Sequence, residues 1–137
     1  MFFIRKILII LISMPVLLSA TEYQLSTHIL DITSGEPASK VRVELYYLDK
    51  NQHWKKISEK FTKLNGRIED LIPYEKPENR ASGIYKLKFY TKDYYRLHNI
   101  NSFYPFIEVS FEISKEQKHY HVPITLSPFG YSTYRGN

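Results

Sequence analysis

The chain has 137 residues, enough for one domain with a single hydrophobic core, and its 12 Tyr and 8 Phe against 5 Gly favour strands and exclude a disordered chain. It has no cysteine, which excludes disulfides, thiolate catalysis and cysteine-ligated zinc. Its 19 basic residues outnumber 14 acidic ones without forming a Lys/Arg block, so the charge does not indicate a nucleic-acid-binding protein.

The first twenty residues differ from the rest of the chain. Arg5 and Lys6 precede an apolar run at residues 7–18, and two small residues follow it. This pattern is typical of a secretory signal peptide, and the run is too short to span a membrane comfortably. We therefore expect residues 1–20 to be cleaved, leaving residues 21–137 as one periplasmic domain that has no membrane contact. An uncleaved anchor is the less favoured alternative.

Alternation of apolar and polar residues predicts most of the mature chain as strands. The predicted strands are residues 25–31, 41–48, 54–61, 68–71, 83–90 and 105–113, followed by two terminal strands within residues 119–134. Asn65-Gly66 predicts a hairpin turn, and residues 91–99 are the one helical candidate, with Thr91 as N-cap. Seven or eight short strands with tight turns predict an all-β, two-sheet sandwich with one short α-helix, whose strand order the pattern does not define.

Four features could carry chemistry: His28 in the first strand, Arg67 after the turn, the His119/His121 pair, and the tail at residues 134–137. Residues two apart on a strand project from the same face, so the two histidines of the pair should lie side by side. Each feature also has an ordinary structural explanation. A histidine on a strand is usually a surface or satisfied core group, and an arginine beside a turn is usually solvated.

Two kinds of catalytic site remain as minor alternatives. His119 and His121 could bind zinc with His28 as third ligand, but no acidic or cysteine partner stands at ligand spacing. Serine catalysis has less support, because neither Ser26 nor Ser127 nor Ser132 lies in a nucleophile-elbow motif.

Four segments taken together resemble the 5-hydroxyisourate hydrolase family, the transthyretin-related proteins. They are LSTHILD at residues 25–31, NGR at 65–67, HYHVP at 119–123 and SPFGYSTYRG at 127–136. The resemblance covers the whole mature chain in order. The Tyr-Arg-Gly ending is specific to the enzymes, whereas transthyretin, a hormone carrier, shares the fold but lacks these histidines and that ending.

The resemblance implies a transthyretin (prealbumin)-like sandwich of two four-stranded sheets that assembles as a homotetramer, with active sites in a channel between dimers. The implied reaction is hydrolysis of 5-hydroxyisourate to 2-oxo-4-hydroxy-4-carboxy-5-ureidoimidazoline in urate degradation. The family is regarded as needing no cofactor and no obligatory metal. The alternative is a non-catalytic carrier that binds a small aromatic ligand in the channel.

The resemblance also suggests roles for the matched residues. His28 and His121 would activate water, with the base of the pair left unassigned, because a neutral imidazole can accept a proton near neutral pH. Arg67 would hold the substrate carbonyls and stabilise negative charge as it develops. Tyr134 would bind substrate, with His119 as a secondary candidate. Asn137 replaces the usual terminal serine and keeps a donor, an acceptor and the terminal carboxylate for substrate binding.

Overall fold

Residues 23–137 are described by a computed structural model; the expected signal peptide at residues 1–20 lies outside them. Two β-sheets pack face to face, with one short helix, as predicted. The elements are β1 (Tyr23–Asp31), β2 (Glu36–Pro37), β3 (Arg42–Leu48), β4 (Trp54–Phe61), β5 (Arg67–Pro73), a 3-10 turn (Pro77–Asn79), β6 (Gly83–Phe89), α1 (Thr91–Leu97), β7 (Ile107–Ile113), β8 (Tyr120–His121), β9 (Ile124–Ser127) and β10 (Gly130–Thr133). Within the described residues, no helix combines the length and apolar character that a membrane crossing requires.

The larger sheet is built around β1. Antiparallel β5 and β2 lie along one edge of β1, parallel β8 and β9 along the other, and β10 pairs with β9. β8 and β9 keep one register against β1, and Pro123, which has no N–H to donate, lies in the break between them. The six segments therefore make a sheet four strands wide.

The smaller sheet is antiparallel throughout, in the order β4-β3-β6-β7, and β3 and β4 form a hairpin. The inner faces of the two sheets together form the core. Its buried apolar side chains include Leu25, Ile29, Ile68, Leu71, Ile124 and Leu126 from one sheet and Val43, Leu45, Leu87, Phe89, Ile107 and Val109 from the other. Burial of each such side chain contributes roughly 1.5–3 kcal/mol, so the sandwich holds together without disulfides.

Asn65-Gly66 forms the predicted turn, but the predicted hairpin is wrong. Gly66 has φ +74° and donates its N–H to the Lys63 carbonyl at 2.8 Å. The strands on either side belong to different sheets, so the turn carries the chain from one sheet to the other. The Gly66 carbonyl accepts a hydrogen bond from the Ile29 N–H at 2.9 Å. The turn thereby fixes the start of β5 beside β1.

The helix is fastened to the far end of β1. Tyr94 and Tyr95 donate their hydroxyls to the buried Asp31 carboxylate at 2.9 and 3.3 Å. Burial and the Asp31 carboxylate both raise the pKa of these tyrosines. The predicted N-cap is wrong: Tyr90 occupies that position, and Thr91 is the first helical residue. These contacts fix the carboxyl end of the central strand.

Candidate active site

Strand pairing around β1 brings the predicted catalytic residues together. In the ladders, His28 lies opposite Arg67 of β5, and Ser26 lies opposite His121 of β8. Leu25, Thr27 and Ile29 point into the core, so Ser26 and His28 point to the outer side of the sheet. We call the resulting surface the histidine face; it consists of Ser26, His28, Arg67, His119 and His121. Register shifts interrupt the β1–β5 ladder between Tyr23 and Thr27, next to this surface.

His28 presents a nitrogen that no described residue satisfies. Its ring hydrogen-bonds the Asn65 backbone, while Nε2 is buried without a partner among residues 23–137. Burial, and then the Arg67 charge, lower the His28 pKa, so the ring is neutral near pH 7. A Cβ on Gly66 would lie 2.6 Å from the Ile29 carbonyl oxygen and 3.2 Å from Cδ2 of His28. Only glycine lets the turn pack this closely against the histidine.

His121 is held by β1 on one side and by the tail on the other. Its Nδ1 lies 2.7 Å from Oγ of Ser26. The Gly136 N–H donates to the His121 carbonyl at 2.8 Å, and a Cβ on Gly136 would approach Cδ2 of His121 to 2.6 Å. Burial lowers the His121 pKa, and the charges of Arg67, His119 and His28 lower it further. This ring is therefore also neutral near pH 7.

Arg67 supplies the cation of the site. Its backbone N–H donates to Oδ1 of Asn65 at 3.0 Å. Its guanidinium forms no ion pair with any carboxylate in the described part of the chain. Because its charge depresses the pKa of both histidines, it lies within their electrostatic reach. A donor fork with no protein carboxylate to bind is suited to an anionic or carbonyl-rich ligand.

The sequence did not indicate Ser26 as more than an unsupported nucleophile. Its Oγ contacts both Nδ1 of His121 and, at 3.2 Å, Nε2 of His119. His119 uses its other nitrogen, Nδ1, on the Tyr23 carbonyl at 2.7 Å. The available signal was the position of Ser26 two residues before His28, which places both side chains on one face.

The tail lies beside the histidine face through Gly136, and Tyr134 and Arg135 line a pocket at the edge of the sandwich. Tyr134 is 58% exposed and lines a pocket of about 260 Å³ at the sandwich edge. The Arg135 guanidinium lies 5.2 Å from the centre of the Tyr120 ring, and Asn137 is exposed. Substrate binding by Tyr134 and Asn137 stays a prediction.

The histidine face can perform acid–base chemistry. A neutral imidazole can accept a proton from water, and the guanidinium can stabilise an oxyanion. Metal chemistry gains no support from the side-chain geometry, since no group of three or more His, Asp or Glu side chains within residues 23–137 could hold an ion.

Comparisons with known proteins find matches over most of the chain. A model of the HIUase/Transthyretin family matches residues 25–136. The chain is 46% identical to a Caenorhabditis elegans protein named probable 5-hydroxyisourate hydrolase, over 82% of this chain and 81% of that protein. It is 41% identical to 5-hydroxyisourate hydrolase of Mus musculus, over 82% and 94% of the two chains. The fold is similar to transthyretin from Sparus aurata, with a TM-score of 0.76, 29% identity and coverage of 84% and 97%.

Proposed function

The chain belongs to the HIUase/transthyretin family, and from that premise we propose that it hydrolyses 5-hydroxyisourate to 2-oxo-4-hydroxy-4-carboxy-5-ureidoimidazoline in urate degradation. The observation that carries the proposal is the convergence of His28, Arg67 and His121 on one sheet face. Neutral imidazoles beside a guanidinium that pairs with no carboxylate of residues 23–137 can supply the base and the oxyanion stabilisation for hydrolysis of a cyclic amide.

The reaction begins when a neutral imidazole of the His28/His121 pair takes a proton from water. The water oxygen bonds to the ring carbonyl carbon, and the oxyanion that forms is stabilised by Arg67. The amide C–N bond then breaks, and the imidazolium returns its proton to the leaving nitrogen. A positioned base typically contributes roughly 10²–10⁴-fold, and one oxyanion donor roughly 10²–10³-fold.

The assembly and location of the protein are further parts of the proposal. The histidine face lies on the outer side of an open sheet, so facing subunits of a homotetramer would enclose the substrate in a channel. Tyr134 and Asn137 then contribute hydrogen bonds to substrate binding, and His119, whose ring nitrogens both contact protein atoms, contributes through contact of its ring. The signal-peptide pattern of residues 1–20 supports export to the periplasm. The reaction needs no cofactor and no metal.

A hydrolysis assay on the mature protein tests the proposal. Freshly generated 5-hydroxyisourate should decay much faster with wild type than in buffer. His28→Ala, His121→Ala and Arg67→Ala should each lower the rate at least about 10²-fold, with the oligomer unchanged in size-exclusion chromatography. His53→Ala and Arg96→Ala, at exposed positions in other parts of the fold, are the matched controls and should keep the wild-type rate.

The carrier function is the second candidate, favoured by the similarity to transthyretin. It predicts a wild type that does not accelerate the decay of 5-hydroxyisourate but retains an aromatic compound through purification. That result would replace the hydrolase proposal. Unchanged activity after exhaustive chelation would separately dispose of a zinc-dependent mechanism.

A further inference from the structure

A chain of hydrogen bonds runs from the first described residue to His121. The Tyr23 carbonyl oxygen lies 2.7 Å from Nδ1 of His119. Nε2 of His119 lies 3.2 Å from Oγ of Ser26, and that Oγ lies 2.7 Å from Nδ1 of His121. The chain joins β1 to β8 on the outer side of the sheet, beside the residues of the proposed reaction.

The chemistry of these groups determines where the protons lie. A backbone carbonyl only accepts, so Nδ1 of His119 must donate to Tyr23. In neutral His119, Nε2 is then unprotonated and accepts the Ser26 hydroxyl proton. Ser26 has no second proton, so its Oγ accepts from Nδ1–H of His121. The remaining nitrogen of His121, Nε2, carries the lone pair.

The two site histidines differ in the accessibility of that free nitrogen. Nε2 of His28 is buried. The His121 ring meets Ser26 through Nδ1, 2.7 Å from Oγ, and also hydrogen-bonds the Ser26 backbone, while its Nε2 is not among the buried unpaired nitrogens of residues 23–137. Within a half-buried residue, that nitrogen is therefore open to solvent. Water can reach the lone pair of His121 and not that of His28.

We propose that Ser26, itself oriented by His119, is a positioning residue that holds His121 in the Nδ1–H tautomer, so that Nε2 of His121 is the general base. This inference rests on the proposed hydrolysis and specifies which histidine takes the proton from water. The arrangement resembles a catalytic triad: His121 is the base, Ser26 orients it, and His119 orients Ser26. His119 acts through Ser26, since both of its ring nitrogens are already occupied.

Nitrogen-15 NMR of the imidazoles of the mature protein tests the tautomer directly. Wild-type His121, assigned with a His121→Ala sample, should show protonated Nδ1 and unprotonated Nε2 near neutral pH. Ser26→Ala should allow the Nε2–H tautomer that free histidine favours in water, and Ser26→Thr, which keeps the hydroxyl, should restore the wild-type spectrum. Ser58→Ala, a half-buried strand serine of the other sheet, is the matched control.

Kinetics supply the second readout. Ser26→Ala should lower kcat about tenfold or more, less than the roughly 10²–10⁴-fold contribution of a positioned base because the base itself remains, while KM stays nearly constant. Ser26→Thr should recover most of kcat. A wild-type His121 with protonated Nε2, or Ser26→Ala with unchanged tautomer and kcat, overturns the inference. If wild type does not hydrolyse 5-hydroxyisourate, the proposed function fails, and with it the base assignment, while the NMR still decides the positioning role of Ser26.

Discussion

The two outer faces of the sandwich differ in whether their charged groups have ionic or aromatic partners among the described residues. On the smaller sheet, Arg42 lies 3.7 Å from the centre of the Tyr90 ring and within 3.8 Å of the Glu44 carboxylate. Lys86 pairs with Glu108 at 3.1 Å. We call this surface the paired face; its members are Arg42, Glu44, Tyr46, Lys56, Glu59, Lys86, Lys88, Tyr90, Phe106 and Glu108. On the histidine face, the guanidinium of Arg67 has no described carboxylate partner and Nε2 of His28 hydrogen-bonds nothing within residues 23–137.

The contrast separates stabilising charges from reactive ones. A buried carboxylate such as Glu44, 4% exposed, remains ionised because cations and hydroxyls surround it, and their interactions stabilise the fold. On the histidine face, a cation beside neutral imidazoles makes no such contribution. The arrangement of Arg67 and the imidazoles becomes stabilising when negative charge develops between them. An interaction that is stronger in the transition state than in the ground state is what accelerates a reaction.

Replacing one arginine on each face by methionine gives the largest expected difference between the two faces. Arg67→Met should reduce hydrolysis roughly 10²–10³-fold, because it removes the oxyanion donor, and should leave the free energy of unfolding nearly unchanged. Arg42→Met should leave the rate unchanged and lower the free energy of unfolding by about 1–2 kcal/mol, because Glu44 loses a charged partner. Activity assays and urea denaturation measure both effects. Equal losses of activity in the two variants would contradict the comparison.

Gly136→Ala tests how precisely the tail must fit against His121. The added Cβ would lie 2.6 Å from Cδ2 of the imidazole, so the ring or the tail must move. A displacement of this size should lower kcat about 10–100-fold while the protein stays folded. Gly130→Ala is the control, since its Cβ would meet only Oγ of Ser127 at 3.6 Å, an ordinary contact. A fully active Gly136→Ala protein would show that the tail does not position His121.

The pH dependence of kcat/KM should show that the charge of Arg67 lowers the pKa of the catalytic base. Burial and then Arg67 hold the pKa of both His28 and His121 below the ordinary value of 6.5. The neutral base therefore persists below that pH, and the acid limb of the profile should lie on the acidic side of 6.5. In Arg67→Met, the residual activity should be lost at higher pH than in wild type, because a depressing charge is gone. Arg96→Met should not move the limb; an unmoved limb in Arg67→Met would mean that its charge does not reach the base.

Local patterns predicted much of the histidine face. Alternation in the first strand placed Ser26 and His28 together, and the two-residue spacing of His119 and His121 put both rings on one side, where both contact Ser26. Arg67 followed a turn that the Asn-Gly pair correctly marked. Each of these features depends on a short stretch of chain, so it can be predicted from the sequence.

Contacts between distant segments were not predictable in the same way. The Asn-Gly hairpin was wrong because sheet membership depends on packing of the whole chain. The role of Ser26 depends on the parallel pairing of β1 with β8, which brings residues 95 positions apart into a hydrogen bond. The Glu44 cluster likewise exists only once β3 lies between β4 and β6.

The smallest expected effect lies on the paired face and concerns stability alone. Burial by itself would raise the pKa of Glu44, but hydrogen bonds from Tyr46 and Tyr90 and the charges of Lys56 and Arg42 bring it below its ordinary value of 4.5. The resulting stabilisation is complete above that pH, where the unfolded chain is also ionised, and is lost as the pH falls through the folded-state pKa. Glu44→Gln should therefore lower the free energy of unfolding by about 1–2 kcal/mol near neutral pH, and the difference from wild type should disappear in acid.

Denaturation of both proteins at neutral and acidic pH measures this difference, with Glu69→Gln, at a partner of Lys63, as control. A penalty that persists in acid would assign the effect to packing rather than charge, and a loss of hydrolysis would show that the two faces are not independent.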